Sequence, residues 1–410
     1  MLTRRSLLEA AGASLALGGS ALAAPHIFKA NAEDLSLAPG LPSGTAGSAA
    51  METLPGKKPL IRLSYRPPNY ESPLEYFRSP ITPNDQFFIR YHLAGVPDAV
   101  DLKTYKIEVG GEGANGQTVL TLDDLKKMPA VELAAVNQCS GNRRGLSNPH
   151  VAGVEWGYGA MGCARWKGVK LKDILAIVGV KQEAIEIAFN GADVPAFDKT
   201  PDFIKSLPVW RAMDDSTLVA YEMNGAPLPL LNGFPARLIV PGWTGTYWMK
   251  HLISITALTK PQGGFWMNPA YRIPLGQFPL VARFTSQDTA TNTPITEMVV
   301  NSLITSHADG AKVKAGKVTV SGLAWDAGYG ITGVNVSTDG GKTWSAATLG
   351  EDLGRYAFRP WSFELAAKKG KNTVMANATN KIGQTQTSTL LFNGAGYHNN
   401  VMQNITLNAA

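Results

Sequence analysis

Asn137-Gln138-Cys139-Ser140-Gly141-Asn142-Arg143-Arg144 follows directly on the apolar run 131–136. An expected strand delivers a thiol, a Gly/Asn turn begins, and two guanidinium groups follow within five residues of the cysteine. Nearby cations favour thiolate, the form that ligates soft metals. The same arginine pair offers donor forks suited to a small oxyanion. A buried cysteine serving as a small hydrophobe is the competing reading. Cys163 is the other cysteine in the sequence. A Cys139–Cys163 disulfide would remove Cys139 from metal chemistry, so that pairing stays open on the residues alone.

Working outward, Thr121-Leu122-Asp123-Asp124-Leu125 places Thr121 and Asp124 at capping-box spacing, and Pro129 closes the helix so begun. A second helix is expected at 171–178, where apolar residues recur at helical spacing and Gly179 is the stop. Short apolar runs at 87–91, 105–109, 184–189, 236–240 and 252–258 read as strands. Helices and strands do not alternate strictly, which argues an α+β unit rather than a doubly wound sheet. Beyond about 294 the pattern is all-β, with runs at 318–324, 333–338, 344–348, 361–365, 373–378 and 385–391. Short alternating strands with regular turns predict an immunoglobulin-like sandwich.

Of the 410 residues, 44% are apolar and 17% charged, which describes a large core and excludes a disordered chain. The net charge of +6 is spread without a Lys/Arg-rich run, which argues against nucleic-acid binding. Thr3-Arg4-Arg5-Ser6-Leu7-Leu8 and the following Ala/Gly/Leu stretch, with Ala21-Leu22-Ala23 as a cleavage site, read as a twin-arginine export signal over 1–30. The twin-arginine export machinery is thus an expected partner. The stretch is too short to span a membrane and no later one is long and apolar enough, so a soluble periplasmic protein is expected. Residues 31–80, rich in Pro, Gly, Ser and Ala, read as an extended N-terminal arm. A catalytic domain is then expected over 81–285 and the sandwich over 286–410.

Gly111-Glu112-Gly113-Ala114-Asn115-Gly116 fits a dinucleotide fingerprint in letters only, because Gln117-Thr118-Val119-Leu120 reads as a strand. It is expected to be a hairpin loop, as is Gly341-Lys342-Thr343. His-Glu-x-x-His and Cys-x-x-Cys are absent, so common zinc and c-type haem motifs are excluded. Phe87-Phe88-Ile89-Arg90-Tyr91-His92 is more productive: at period two Arg90 and His92 share a face, and with Arg144 they make three cationic groups for a small dianion. Trp156, Tyr158, Trp166, Trp243, Tyr247, Trp248, Trp266 and Tyr271 suit the wall of a site or a core equally.

Several of these segments, taken in order, resemble the sulfite oxidase family of mononuclear molybdenum enzymes, above all the bacterial periplasmic sulfite dehydrogenases. They are 87–92, 138–144, Gly153-Val154-Glu155-Trp156, Ala164-Arg165-Trp166, Arg211-Ala212-Met213-Asp214, 220–225, Gly233-Phe234-Pro235-Ala236-Arg237 and Val240-Pro241-Gly242. The similarity spans 83–396. It implies Mo-molybdopterin (molybdenum with one pyranopterin dithiolene), with Cys139 as the protein's metal ligand. It assigns Arg90, His92 and Arg144 to the substrate oxyanion, Tyr271 to hydrogen bonding or proton relay, and Trp156 to the pocket wall. Cofactor contacts would come from Phe88, Ile89, Arg90, Tyr91, His92, Asp193, Asn232, Arg237, Trp248, Met249 and Lys250. Asn232 stands where the animal enzymes have His, and an arginine near their C-terminus is replaced around Ala395, leaving a less cationic pocket.

What the resemblance implies is oxidation of sulfite to sulfate. With no haem in this chain, the two electrons pass singly to a c-type cytochrome, and the second domain is of the dimerisation type, implying a homodimer. A periplasmic methionine sulfoxide reductase of the same fold is the alternative, but such enzymes lack the sandwich. A non-catalytic sandwich-domain binding protein would leave Cys139 and its arginines without a role.

Overall fold

The computed structural model describes residues 50–274 and 292–410. The export signal, the first part of the expected arm and the expected boundary at 285/286 lie outside them.

Local signals give the elements that frame the site. Thr121 accepts from the Asp124 N–H while the Asp124 carboxylate accepts from the Thr121 N–H, a closed capping box that starts the helix Leu122–Lys127. The helix Leu171–Val178 buries Leu171, Ile174, Leu175 and Val178 on one face and stops at Gly179, whose φ of +65° suits glycine. The strand Ala130–Gln138 pairs antiparallel with Met161–Lys170, which pairs with Leu218–Met223. A second sheet runs in the order Lys205–Pro208, Glu186–Gly191, Leu252–Leu258, Ile107–Gly110, Thr118–Leu120. Its Leu252–Leu258 and Ile107–Gly110 strands are parallel. The 111–116 glycines form the hairpin between its last two strands. Both sheets share one core, where Trp166, Val169, Leu171, Ile187, Phe189 and Ile255 are buried.

Residues 50–80 do not form a free arm. Met51–Glu52, Leu60–Ser64 and Asn69–Glu71 complete a four-stranded sheet with Ile89–Arg90. Leu60, Ile61 and Phe77 are at most 1% exposed, so the segment's apolar residues outweigh its turn-rich composition.

The remaining unit has two sheets facing one apolar core of Val318, Val320, Val334, Val336, Val374 and Ile405. One sheet runs Asn301–Ile304, Gly316–Trp325, Arg359–Ala367, Thr348–Leu349, and the other Lys312–Val313, Asn404–Ala409, Gly370–Asn380, Ile331–Ser337, Ser345–Ala346. Here the expected strand at 344–348 is split between the two sheets. The expected strand at 385–391 forms only isolated bridges, Thr385 with Thr379 and Thr387 with Val401. Its inward residue is Gln386, whose amide oxygen accepts from Ser302 Oγ and the Ala378 N–H, so a side chain takes bonds that a ladder would have made. Asn404–Ala409, like Asn301–Ile304 and Lys312–Val313, is a strand that sequence reading missed.

Candidate active site

Cys139 stands one residue beyond the Ala130–Gln138 strand, 7% exposed on the lining of a cleft. Its N–H donates to the Ala160 carbonyl at 2.9 Å and its own carbonyl accepts from the Asn142 N–H at 3.0 Å. Arg143 takes a left-handed φ of +69°, which turns the chain away. The opposing segment is anchored from below: the buried Glu71 carboxylate accepts from the N–H groups of Gly157 (2.7 Å) and Gly159 (2.8 Å). Burial pushes Glu71 up to about 7, with those bonds acting against the rise. Gly157 and Trp156 in turn hold the N–H groups of Arg143 and Gly145. Cys139 and Cys163 are both free and sit in different apolar clusters. Burial pushes the Cys163 thiol up to about 12, which leaves it inert.

The expectation that Arg90 and His92 share a face holds at the cleft. Arg90 and His92 both line it, with Phe88 and also Phe87, whereas Ile89 and Tyr91 are fully buried away from it. Ile89 packs with Leu60 and Tyr70, and the Tyr91 hydroxyl meets the Leu231 carbonyl (3.2 Å) and His251 Nε2 (2.7 Å). Neither Ile89 nor Tyr91 therefore lines the cleft, where both were expected as cofactor contacts. Tyr271, held at φ +59°, brings its hydroxyl to Arg90 Nη2 at 3.2 Å and to His92 Nε2. Burial raises the Tyr271 pKa, with Arg90 opposing, so the phenol keeps its proton. His92 stacks on Phe203 with centroids 3.6 Å apart. Burial, then Arg90, Lys250 and Lys205, hold its pKa well below the ordinary value. His92 is neutral, not the third cation expected.

Arg144 and Trp156 also depart from expectation, since neither lines the cleft. Arg144 donates from Nε to the Ala395 carbonyl (2.9 Å) and from Nη1 to that of Val154 (3.2 Å), and lies over the Tyr397 ring at 5.3 Å. A Cβ at Gly141 or Gly153 would come within 2.6 or 2.7 Å of this guanidinium and displace it, and the φ of +132° at Gly153 itself favours glycine. Tyr397 stacks on Tyr271 at 5.7 Å, which sets Arg144 one ring behind the tyrosine. Trp156 is fully buried in the core, and Phe203 takes its expected place on the wall.

Asp193, Asn232, Arg237, Trp248, Met249 and Lys250 all line the cleft as expected, joined by Asn137, Ser140, Gly245 and Thr246, which sequence reading did not single out. Asn232 spends its amide on the protein: Oδ1 accepts from Lys57 Nζ and Nδ2 donates to the Phe88 carbonyl. Arg237 is 3% exposed and lies 5.1 and 5.8 Å from the Trp166 and Trp248 rings. It donates to the Asn232 (2.8 Å) and Trp248 (3.1 Å) carbonyls, and burial lowers its pKa to about 9. Among the described residues its Nε has no hydrogen-bond partner, and neither have Asn137 Oδ1 and Ser140 Oγ. Unpaired buried donors and acceptors are costly, so these atoms mark where a polar ligand fits. Arg90, Arg237 and Lys250 share the lining with one carboxylate, Asp193, whose pKa burial raises against the pull of Lys250. That set suits an anionic, hydrogen-bonding organic group. Among the described residues no three His, Cys, Asp or Glu side chains converge, so a metal on Cys139 would draw its other donors from such a group.

Residues 92–266 match the oxidoreductase molybdopterin binding domain and 292–410 the Mo-co oxidoreductase dimerisation domain. Mitochondrial sulfite oxidase of Rattus norvegicus is 37% identical over 321 residues, 76% of this chain and 57% of the relative. The chain thus spans little more than half the length of that relative. Sulfite oxidase of Gallus gallus is 36% identical over 332 residues, 77% of this chain and 70% of the relative. The sulfane dehydrogenase SoxCD of Paracoccus pantotrophus superposes with a TM-score of 0.73 at 24% identity, covering 94% of this chain and 96% of that one, a likeness of fold.

Proposed function

The chain belongs to the sulfite oxidase family, and from that premise we propose that it is a periplasmic molybdenum-dependent sulfite dehydrogenase that passes electrons singly to a c-type cytochrome. The observation that carries this reading is the meeting of Cys139, Arg90 and Tyr271 on one cleft with the unpaired polar atoms of Asn137, Ser140 and Arg237. Molybdenum with one pyranopterin dithiolene, when bound, supplies the oxygen-atom transfer and stores the two electrons. Cys139 is its ligand from the protein. Arg237, Lys250 and Asp193 hold the organic group, and Arg237 is suited to a phosphate. Arg90 and the protonated Tyr271 bind the oxyanion, while neutral His92 is bonded to the Tyr271 hydroxyl and fixes its orientation. Phe88, Phe203 and Trp248 keep the surroundings dry, which strengthens each charged contact. We assign the two-sheet unit to an immunoglobulin-like sandwich that pairs two copies of the chain, in line with its match to a dimerisation domain.

The exported protein is expected to carry molybdenum in proportion to chain and to reduce cytochrome c only when sulfite is added. Absence of the metal, or reduction independent of sulfite, would overturn the reading. Export rests on Arg4 and Arg5. The Arg4→Lys, Arg5→Lys double variant is expected to leave that activity in the cytoplasmic fraction, because a folded, loaded protein has no other route. Normal periplasmic activity would show a different leader.

His92 gives a pH prediction. The ratio of KM for sulfite between His92→Asn and the parent is expected to stay constant from about pH 6 to about pH 8, because the folded imidazole is neutral throughout. The protonation of sulfite itself cancels in the ratio. A ratio that grows as pH falls through the ordinary histidine range would show a cationic His92.

A further inference from the structure

With His92 bonded to the Tyr271 hydroxyl but neutral, and Arg144 latched to carbonyls, Arg90 is the one of the three expected cations that brings charge to that hydroxyl. A dianion calls for more positive charge than that, and the fold places it close by. Lys205 opens the strand Lys205–Pro208 and is 1% exposed. Among the described residues its ammonium has one hydrogen-bond acceptor, the Trp266 carbonyl at 2.7 Å. It also lies against the rings of Tyr247 at 4.6 Å and Tyr271 at 5.1 Å. Trp266 packs on His92, Phe203 and Tyr271 with centroids 5.1, 5.2 and 6.3 Å away. Phe203, two residues before Lys205, stacks on His92. The lysine therefore lies beneath the aromatic wall around the Tyr271 hydroxyl without lining the cleft.

A buried ammonium with a single acceptor is costly, and such groups persist where their charge is used. Near a ring face a cation is held by the π electrons, and it stabilises negative charge on the phenol oxygen, which makes the hydroxyl a stronger donor. Burial lowers the lysine pKa to about 7, with Glu186 opposing and Arg272 adding to the fall. Glu186 is itself engaged by Ser206 Oγ and the Gln262 N–H, each at 2.7 Å. An incoming dianion therefore draws the proton onto Lys205, and the charge is present when the anion is.

We propose that Lys205 is a positioning residue for the oxyanion: from behind Tyr271 its ammonium supplies positive charge to the Arg90–Tyr271 cluster and fixes Trp266 and Tyr271. This rests on the oxyanion reading of the cleft given above. The test is calorimetric binding of sulfate and of nitrate to the resting holoenzyme near pH 6, where the ammonium is charged. Lys205→Met is expected to weaken sulfate roughly 10-fold and nitrate only about 3-fold, because a Coulomb energy scales with ligand charge. Equal losses for the two anions would mean a purely structural role and overturn the proposal. So would parental sulfate binding in Lys205→Met beside a loss in Arg90→Gln. Parental binding in both variants would instead overturn the oxyanion site itself. Melting temperatures accompany each variant, and Lys205→Gln carries the same test if the methionine variant does not fold.

Discussion

Cys139→Ser is expected to abolish sulfite oxidation, by more than the roughly 100-fold that losing a supporting partner of a metal ligand costs, while the chain stays folded and keeps its pterin. A hydroxyl is a hard donor that stays protonated where a thiol ionises, so it replaces thiolate poorly on a soft centre. The backbone at 139 is fixed by Ala160 and Asn142, and serine leaves those bonds untouched. The groups that hold the organic cofactor, Asp193, Arg237 and Lys250, are untouched by the substitution, so pterin content has no reason to fall. Cys163 is the internal control. It is fully buried beside Val136, Met161 and Phe358. Cys163→Ser is expected to cost about 1–2 kcal/mol of stability for a buried hydroxyl and to leave turnover unchanged. Steady-state kinetics with metal and pterin analysis read both variants. A parental rate in Cys139→Ser, or loss through Cys163 alone, would remove Cys139 from the metal.

The parts of this architecture that were legible in the sequence are those set by local chemistry. Thr121 and Asp124 close a capping box three residues apart, the 171–178 helix carries its own apolar stripe and stop, and Arg90 and His92 share a face because strand geometry alternates. The illegible parts depend on distant partners. Arg144 has the donor fork that binds an oxyanion, but a carbonyl 251 residues away occupies it. His92 reads as a switchable cation until burial and three neighbouring cations hold it neutral. Lys57 and Glu71 lie in a stretch whose composition suggests an arm, yet one bonds Asn232 on the cleft and the other anchors the segment facing Cys139. Phe203 and Trp156 are both large and aromatic, and only packing decides which one walls the cleft. Sequence patterns identify donors well, but which acceptor takes them is settled by the tertiary fold.

Arg90→Gln and Arg144→Gln therefore part company. Losing a charged hydrogen bond to a buried anion costs about 1.5–3 kcal/mol, so Arg90→Gln is expected to lower kcat/KM for sulfite by about 10- to 150-fold, at about 1.4 kcal/mol per factor of ten. Most of that loss belongs in KM, since the guanidinium meets the oxyanion before and during reaction. Part belongs in kcat, because the same group donates to the Tyr271 hydroxyl. Tyr271→Phe, which removes only that hydroxyl, is expected to lower kcat with a smaller change in KM. Arg144→Gln should behave as a structural change. Its guanidinium is occupied by the Ala395 and Val154 carbonyls and the Tyr397 ring, so the melting temperature is expected to fall while KM stays within a few-fold of parental. Sulfite kinetics and thermal melts of the three variants decide the matter. Equal rises in KM for Arg90→Gln and Arg144→Gln would restore Arg144 to the anion pocket, and a parental KM in Arg90→Gln would move the oxyanion away from Tyr271 altogether.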